Sequence, residues 1–403
     1  MVVATAMSDR LASPELALLL HAAASDGTVA ARDRTRELAQ DVVSWPRFLE
    51  RAVQHAVIPL MDHELGRHAA DLVAPEVASW LRAAAQEGAV RSLRLTGELV
   101  AVQRVLSGAG IDAIPFKGPT LAALVYGNLS LRQFEDLDIL VRDRELDRAR
   151  AALLAAGFAP VLELNEDQRA SIVLSGHHEQ LYHAESGSTV ELHWSLNNRA
   201  LTHDAFEHEW WRGRQTVTIG GFAMETLGPE RLLLYLCMHG GKHSWARLSW
   251  LCDLQRALRT YARADWSEIW LLARANGATR MVAIGLALVE ELFDGQSLTA
   301  PAWAARPRDA HADRLCTLIA RRLRDEPIPK RPLDFRVQLQ SRERYGDRLR
   351  YTWHILAAPH ASDVALLGLP YSLHFMYYVL RPMRLVWKNL VRRTAGHPWP
   401  RRK

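Results

Sequence analysis

The sequence predicts an α+β protein, with a mixed β-sheet core flanked by N-terminal and C-terminal helical regions. Three observations carry that expectation. Apolar residues recur at helical spacing from Pro14 to about Gly110. Over residues 111–227 they fall instead into short alternating runs bounded by turn residues. From Gly228 onward the helical spacing returns. The expected units are an N-terminal helical region over 1–110, a core over 111–227, a C-terminal helical region over 228–380 and a basic tail over 381–403. A chain of 403 residues exceeds the usual size of one hydrophobic core, so a division into modules is expected.

The first region shows helical spacing over residues 14–21, 45–65, 75–86 and 90–107, punctuated by Asp26-Gly27, Glu87-Gly88 and Gly108-Ala109-Gly110. Trp45, His55 and Trp80 read most simply as core or interface residues. In the core, residues 113–117 form an apolar run that reads as a strand. Gly118-Pro119 then opens a helix, with proline in the first turn, where its missing N–H costs nothing. Residues 136–141 give a second strand, Asp143 caps a helix ending at Gly157, and residues 158–164 give a third strand. Residues 178–184 and 188–196 flank Glu185-Ser186-Gly187 as a hairpin, and residues 216–219 and 222–225 form another around Gly220-Gly221. Five helices are expected over 232–242, 245–261, 266–276, 280–293 and 310–324, with loops over 301–307 and 327–332. Residues 364–380 contain Pro370 and His374 and are too short and polar for a clear membrane span. They read as one buried or peripheral helix, with interfacial membrane contact as the alternative.

With 49% hydrophobic and 24% charged residues, the chain has the composition of a globular protein. Its three cysteines, Cys237, Cys252 and Cys316, show no CxxC spacing and are expected to be reduced thiols in the cytoplasm. The N-terminus places an acid and a base before a short apolar run and does not read as a signal peptide. The net charge of +5 is a local property. Eight basic residues and no acidic one lie between Arg381 and Lys403, and removing these eight from the 50 leaves 42 basic against 45 acidic residues. A solvated tail is the simplest reading of that run. An anionic membrane or nucleic acid is the alternative.

The chemistry concentrates at Glu135-Asp136-Leu137-Asp138-Ile139-Leu140-Val141. Alternate residues of a strand point to one face, so Asp136 and Asp138 project together while Leu137 and Ile139 go to the other side. Two carboxylates on one face repel each other and are costly to bury without a cation between them. Paired acidic oxygens are what Mg²⁺ or Mn²⁺ prefers. Glu191, on the later alternating strand that also carries His193, supplies a third carboxylate. Such a set suits a two-metal site for phosphoryl or nucleotidyl transfer. Lys117 and Gly118 stand where a helix start meets phosphate, and Arg132 is placed to contact phosphate or to pair with Glu135. His239-Gly240-Gly241-Lys242-His243 supplies Lys242 and His243 as further phosphate-side candidates, with Gly240-Gly241 expected to disturb the helix. No HExxH pattern accompanies these histidines, so zinc is not expected. Asp253 is expected to pair with Lys242 or Arg247, and His177-His178 reads as an exposed loop.

Phe116-Lys117-Gly118, Leu121, Tyr126, Arg132, the Asp136–Val141 run and Glu191-Leu192-His193-Trp194 resemble the uncharacterised nucleotidyltransferase family of the DNA polymerase β-like superfamily. The resemblance continues through the His239–Asp253 segment and through Trp45, Phe48-Leu49, Ala52, His55 and Pro59-Leu60. It implies a nucleotidyltransferase core with helical additions on both sides, Asp136 and Asp138 as the metal-binding pair, and Glu191 as the third carboxylate. Two features depart from the wider superfamily: Gly118-Pro119 replaces the usual Gly-Ser, and the gap from Gly118 to Asp136 is longer.

The expected activity is Mg²⁺- or Mn²⁺-dependent transfer of an NMP group from an NTP to a hydroxyl or phosphate acceptor (small molecule, peptide or protein). The alternatives are a catalytically inactive nucleotide-binding scaffold and a tRNA-modifying nucleotidyltransferase. Expected partners are the NTP and its acceptor, with nucleic acid less favoured, no transmembrane anchor and an open oligomeric state.

Overall fold

The computed structural model describes residues 13–25, 27–196, 204–293, 309–325 and 335–394. The loops expected over 301–307 and 327–332, and the end of the basic tail, lie outside the described residues. Five N-terminal helices come first: α1 (Pro14–Ala24), α2 (Val29–Gln40), α3 (Trp45–Gln54), α4 (Ile58–His68) and α5 (Pro75–Gly108). The strands and helices of the core follow: β1 (Ala113–Pro115), α6 (Gly118–Leu121), β2 (Leu137–Val141), α7 (Leu146–Ala155), β3 (Phe158–Pro160), α8 (Glu166–Ser175), β4 (His178–His183), β5 (Ser188–His193), β6 (Gln215–Ile219) and β7 (Phe222–Thr226). The chain then continues as α9 (Pro229–Lys242), α10 (Leu248–Thr260), α11 (Trp266–Ala275), α12 (Thr279–Leu292), α13 (Ala310–Asp325), α14 (Phe335–Gln340), α15 (Tyr345–Leu356), α16 (Ala361–Leu367) and α17 (Tyr377–Thr394).

The predicted α+β class is what forms. Five strands make one mixed sheet in the order β1-β2-β5-β4-β3, and β6 and β7 make a separate hairpin. The β2–β5 pair is parallel and the other pairs of the sheet are antiparallel. Alternation sorts the residues of β2 and β5 by face. Leu137, Ile139, Val141, Val190 and Leu192 share a core with Leu95, Leu99, Val102 and Leu106 of α5. Asp138, Glu191 and His193 are left on the opposite face, towards the C-terminal helices. The N-terminal and C-terminal helices together form a second core, in which Leu16 and Phe48 pack with Leu254 and Leu288. Hydrogen bonds join the two regions as well: Gln255 Nε2 donates to Ala24 O at 3.2 Å, and the buried His55 ring accepts from the Leu248 N–H at 3.4 Å.

Several expectations change. The predicted break at Glu87-Gly88 does not occur, and α5 runs unbroken for 34 residues. A mid-helix glycine costs about 1 kcal/mol, which the flanking apolar stripe of Leu81, Leu95 and Leu99 outweighs. The single helix expected over 45–65 breaks instead at Ala56, whose φ is 55°. Helix α8 was not anticipated, although its capping box, Asn165 with Gln168, stands in the sequence. Residues 364–380 are not one helix: α16 stops at the left-handed Gly368, a 3₁₀ turn follows, and α17 begins at Tyr377. No helix among the described residues is long and apolar enough to cross a membrane. The start of the basic tail is also built in. Buried Arg381 pairs with Asp363 at 2.6 Å, and Arg384 contacts the same carboxylate. Trp80 lies on the surface rather than in a core. All three cysteines are buried and unbridged.

Gly240-Gly241 does not disturb α9 but lies within it. A Cβ on Gly240 would come within 2.3 Å of the Trp245 ring, which is fully buried in the notch that the glycine leaves. Ser244 and Trp245 both take positive φ (53° and 51°), a strained turn that returns the indole onto its own helix. This turn fixes the end of α9, and so the directions of Lys242 and His243. Helix propensity alone would make Gly240→Ala stabilising by about 1 kcal/mol. The packing predicts the opposite, a loss of roughly 1–3 kcal/mol from overfilling. Equilibrium urea unfolding measures it, and a variant as stable as the native chain would contradict this role for the notch.

Candidate active site

The site is built on the parallel β2–β5 pair. Its register sets Asp138 opposite Glu191 and Leu140 opposite His193. His193 Nε2 sits between the two carboxylates, 3.2 Å from Asp138 Oδ1 and 3.3 Å from Glu191 Oε2, with no well-aligned hydrogen bond to either. The Lys117 ammonium, carried in from the end of β1, donates to Asp138 Oδ1 at 3.0 Å. It also lies over the rings of Phe116 and Tyr235. Gly118 turns the chain away with φ +54°, and a Cβ there would press on the Asp136 carbonyl at 3.4 Å. On the next strand, Gln180 Nε2 donates to Glu191 Oε1 at 2.8 Å, and His178 Nε2 stands 3.8 Å from the same oxygen.

The charges fit one another unevenly. Burial alone would raise the Asp138 carboxyl, but Lys117 and His193 outweigh it and hold the group well below the usual carboxylate range. Burial likewise opposes ionisation of Glu191, yet the His193 contact brings it down to about 2. Burial works against a charged His193 ring too, and its two carboxylate neighbours raise it. Asp136 is the exception. Burial, then repulsion from Asp138 and Glu191, pushes it up to about 6. The row therefore holds more negative charge than its own cations neutralise at that end.

A divalent cation fits this donor set. Atoms of Asp138, Glu191 and His193 lie within 4.8 Å of one another. Carboxylate oxygens are the donors Mg²⁺ and Mn²⁺ select, and the raised Asp136 marks a place where added positive charge is favourable. Asp136 is not part of that trio, and the structure sets His193 there. The alternation over residues 188–196 had placed His193 on the Glu191 face, so this member was legible before the fold was known. Tyr235 gave no such signal.

Of the remaining predicted residues, Lys117, Gly118 and Arg132 line one cavity, Lys242 lines another, and His243 lines neither. A polar cavity of about 430 Å³ is lined by Lys117, Gly118, Arg132, Asp136, Asp138 and His239, among others. Arg132 does not pair with Glu135. Its guanidinium forms a two-pronged bond to Asp253 (2.9 and 3.0 Å), and Tyr126 donates to the same carboxylate at 2.7 Å. Asp253 thus pairs with neither Lys242 nor Arg247. The Arg132 Nη1 atom has no hydrogen-bond partner in the protein. His243 is packed away from the carboxylates, against Trp250 and His239. Lys242 lies on the far side of the row, 3.5 Å from His177 Nε2, beside a second cavity. His177 and His178 are half-buried against His193 rather than loose in a loop.

In the Arg132–Asp253 pair the carboxylate is buried and the guanidinium largely so. Removing one partner leaves an uncompensated charge, so Asp253→Ala is predicted to cost about 3–5 kcal/mol in stability. Chemical denaturation reads that loss, and a change below about 1 kcal/mol would mean the pair is not what holds Arg132 in place.

A family model described as an uncharacterised nucleotidyltransferase matches residues 41–294, which include every residue of the carboxylate row and of the polar cavity. No curated protein and no solved structure gave a match. The matched span covers more than half of the chain, which therefore belongs to this uncharacterised nucleotidyltransferase family.

Proposed function

We propose that the chain transfers an NMP group from an NTP to a hydroxyl or phosphate acceptor at the Asp138–Glu191 row, in a reaction that requires Mg²⁺ or Mn²⁺. The observation that carries this reading is the register that sets Asp138 opposite Glu191, beside a cavity with cations on its wall. Asp138 and Glu191 would hold the metal, with His193 as the neighbouring nitrogen donor and Asp136 joining from the end of the row. Bound there, the metal would neutralise charge on the transferring phosphoryl group and activate the acceptor hydroxyl.

The chain's own groups supply the positioning that phosphoryl transfer chiefly needs. Lys117 fixes the Asp138 carboxylate, and Tyr235 and Phe116 fix Lys117. Arg132, gripped on one side by Asp253, adds its positive charge to the cavity wall. The polar cavity is large enough for a nucleotide, and its basic wall suits a triphosphate. Glu191, held by Gln180 and backed by His193, completes the row on its other side.

The test is pyrophosphate release from ATP with Mg²⁺ or Mn²⁺, scanned over candidate acceptors whose products are identified by mass spectrometry. Asp138→Asn is predicted to lower turnover by about 10³-fold or more, equivalent to roughly 4 kcal/mol of barrier, with an unchanged far-UV circular dichroism spectrum. Full activity in Asp138→Asn would contradict the assignment. NTP binding without metal-dependent pyrophosphate release in the native chain would favour a nucleotide-binding scaffold.

A further inference from the structure

We infer that the second cavity, on the β4 side of the carboxylate row, is the acceptor site. We infer also that it takes a small hydroxyl-bearing molecule with a largely apolar body and one anionic group. The inference rests on the nucleotidyl-transfer reading and adds where the acceptor sits and what it is. The cavity encloses about 400 Å³, within the range of small-molecule sites. Gln338, Arg342, Tyr351, His354 and Ala361 form much of its wall, and all lie beyond the family-matched span. The catalytic row thus comes from the family segment, while this wall belongs to the C-terminal helices of this chain.

Position is the first argument. Along the sheet the order is β2, β5, β4. Lys117 and Asp138 face the polar cavity, whereas His177, His178 and Lys242 face the second one. The His178 ring spans the gap, with its Nε2 3.8 Å from Glu191 Oε1. Displacement at phosphorus sets the attacking and leaving oxygens roughly in line. A triphosphate in the polar cavity would send its leaving group towards β1 and β2, so the attacking oxygen arrives from the β4 side. In that step the acceptor oxygen bonds to the α-phosphorus as the α–β bridging bond breaks. Pyrophosphate leaves, and the hydroxyl proton passes to water.

Unpaired polar atoms are the second argument. Asn276 Oδ1, Asp347 Oδ2, Tyr351 Oη, His354 Nδ1 and His178 Nδ1 are buried without a hydrogen-bond partner in the protein, and all five residues line this cavity. Buried polar atoms are nearly always paired, and leaving one unpaired costs free energy. The atoms themselves are closed off from the open space, and a bound molecule would meet them only as these five side chains turn towards it. Much of the remaining wall is apolar, with Ile172, Met238, Met281 and Ile355.

Charge is the third argument. Lys242 and Arg342 line the cavity, and among the described residues neither forms a salt bridge to a carboxylate, whereas Asp347 is engaged by Arg350 at 2.9 Å. The surplus is positive, and one anionic group on the ligand balances it. A cavity of this size matches a small molecule.

N-acetyl-L-tyrosine carries a phenolic hydroxyl, an aromatic body and a carboxylate, and it serves as the probe. Its binding to the full chain is measured by isothermal titration calorimetry without nucleotide, and MgATP binding is measured in the same proteins. Tyr351→Phe deletes only a partnerless hydroxyl, so thermal stability stays the same or rises while probe affinity falls by about fivefold. Ala361→Trp, on an exposed part of the wall, fills the cavity and removes detectable probe binding. MgATP affinity stays within about twofold in both variants. Asp138→Asn keeps probe binding, so a failure of the transfer reading and a failure of this cavity assignment are read separately. The assignment is overturned by no saturable binding to the native chain, by undiminished binding in either cavity variant, or by displacement of the probe by MgATP.

Discussion

The parallel pairing of β2 with β5 is the constraint on which the rest of the site depends. It sets two carboxylates from distant parts of the chain side by side on a buried face, an arrangement that electrostatics opposes. Every neighbouring group reads as a response to that cost. Lys117 and His193 sit against Asp138, Gln180 ties down Glu191, and Asp136 remains displaced towards its neutral form by the charges beside it. A buried charge row is poor material for stability. A cation held between the carboxylates would offset that cost.

Around that row the helical regions do different work. The N-terminal and C-terminal helices share one core, which gives the exposed end of the sheet a rigid backing. From that backing Tyr235 reaches Lys117, and Asp253 grips Arg132. The Trp245 notch in α9 fixes where Lys242 leaves the helix. Two cavities result, one on each side of the carboxylates, and they differ in chemistry: the first carries acidic and basic groups together, and the second mixes an apolar wall with unpaired polar atoms.

Much of this was legible in the sequence because strand alternation is a strict rule. It placed Glu191 with His193, and the turn signals located the hairpins, whereas Asp136, expected on the strand beside Asp138, lies one residue before β2. Partner choice was not legible. Asp253 lies six residues from Arg247 and eleven from Lys242, yet it pairs with Arg132, 121 positions away, because helix packing rather than sequence proximity decides which charges meet. Gly240-Gly241 misled for a related reason. Its conformational signal says helix breaker, while its actual role is to make room for an indole that only the tertiary fold brings there. The second cavity was invisible beforehand, since its walls come from α8, α9, α12, α14 and α15, which share no motif.

The central claim is that the Asp138–Glu191 register creates a divalent-cation site. Electron paramagnetic resonance titration of Mn²⁺, with a non-hydrolysable ATP analogue present, tests it most directly. Saturable Mn²⁺ binding to the native chain, weakened by at least about tenfold in Glu191→Gln, is the predicted result. Equal Mn²⁺ affinity in the native chain and in Glu191→Gln would contradict the account.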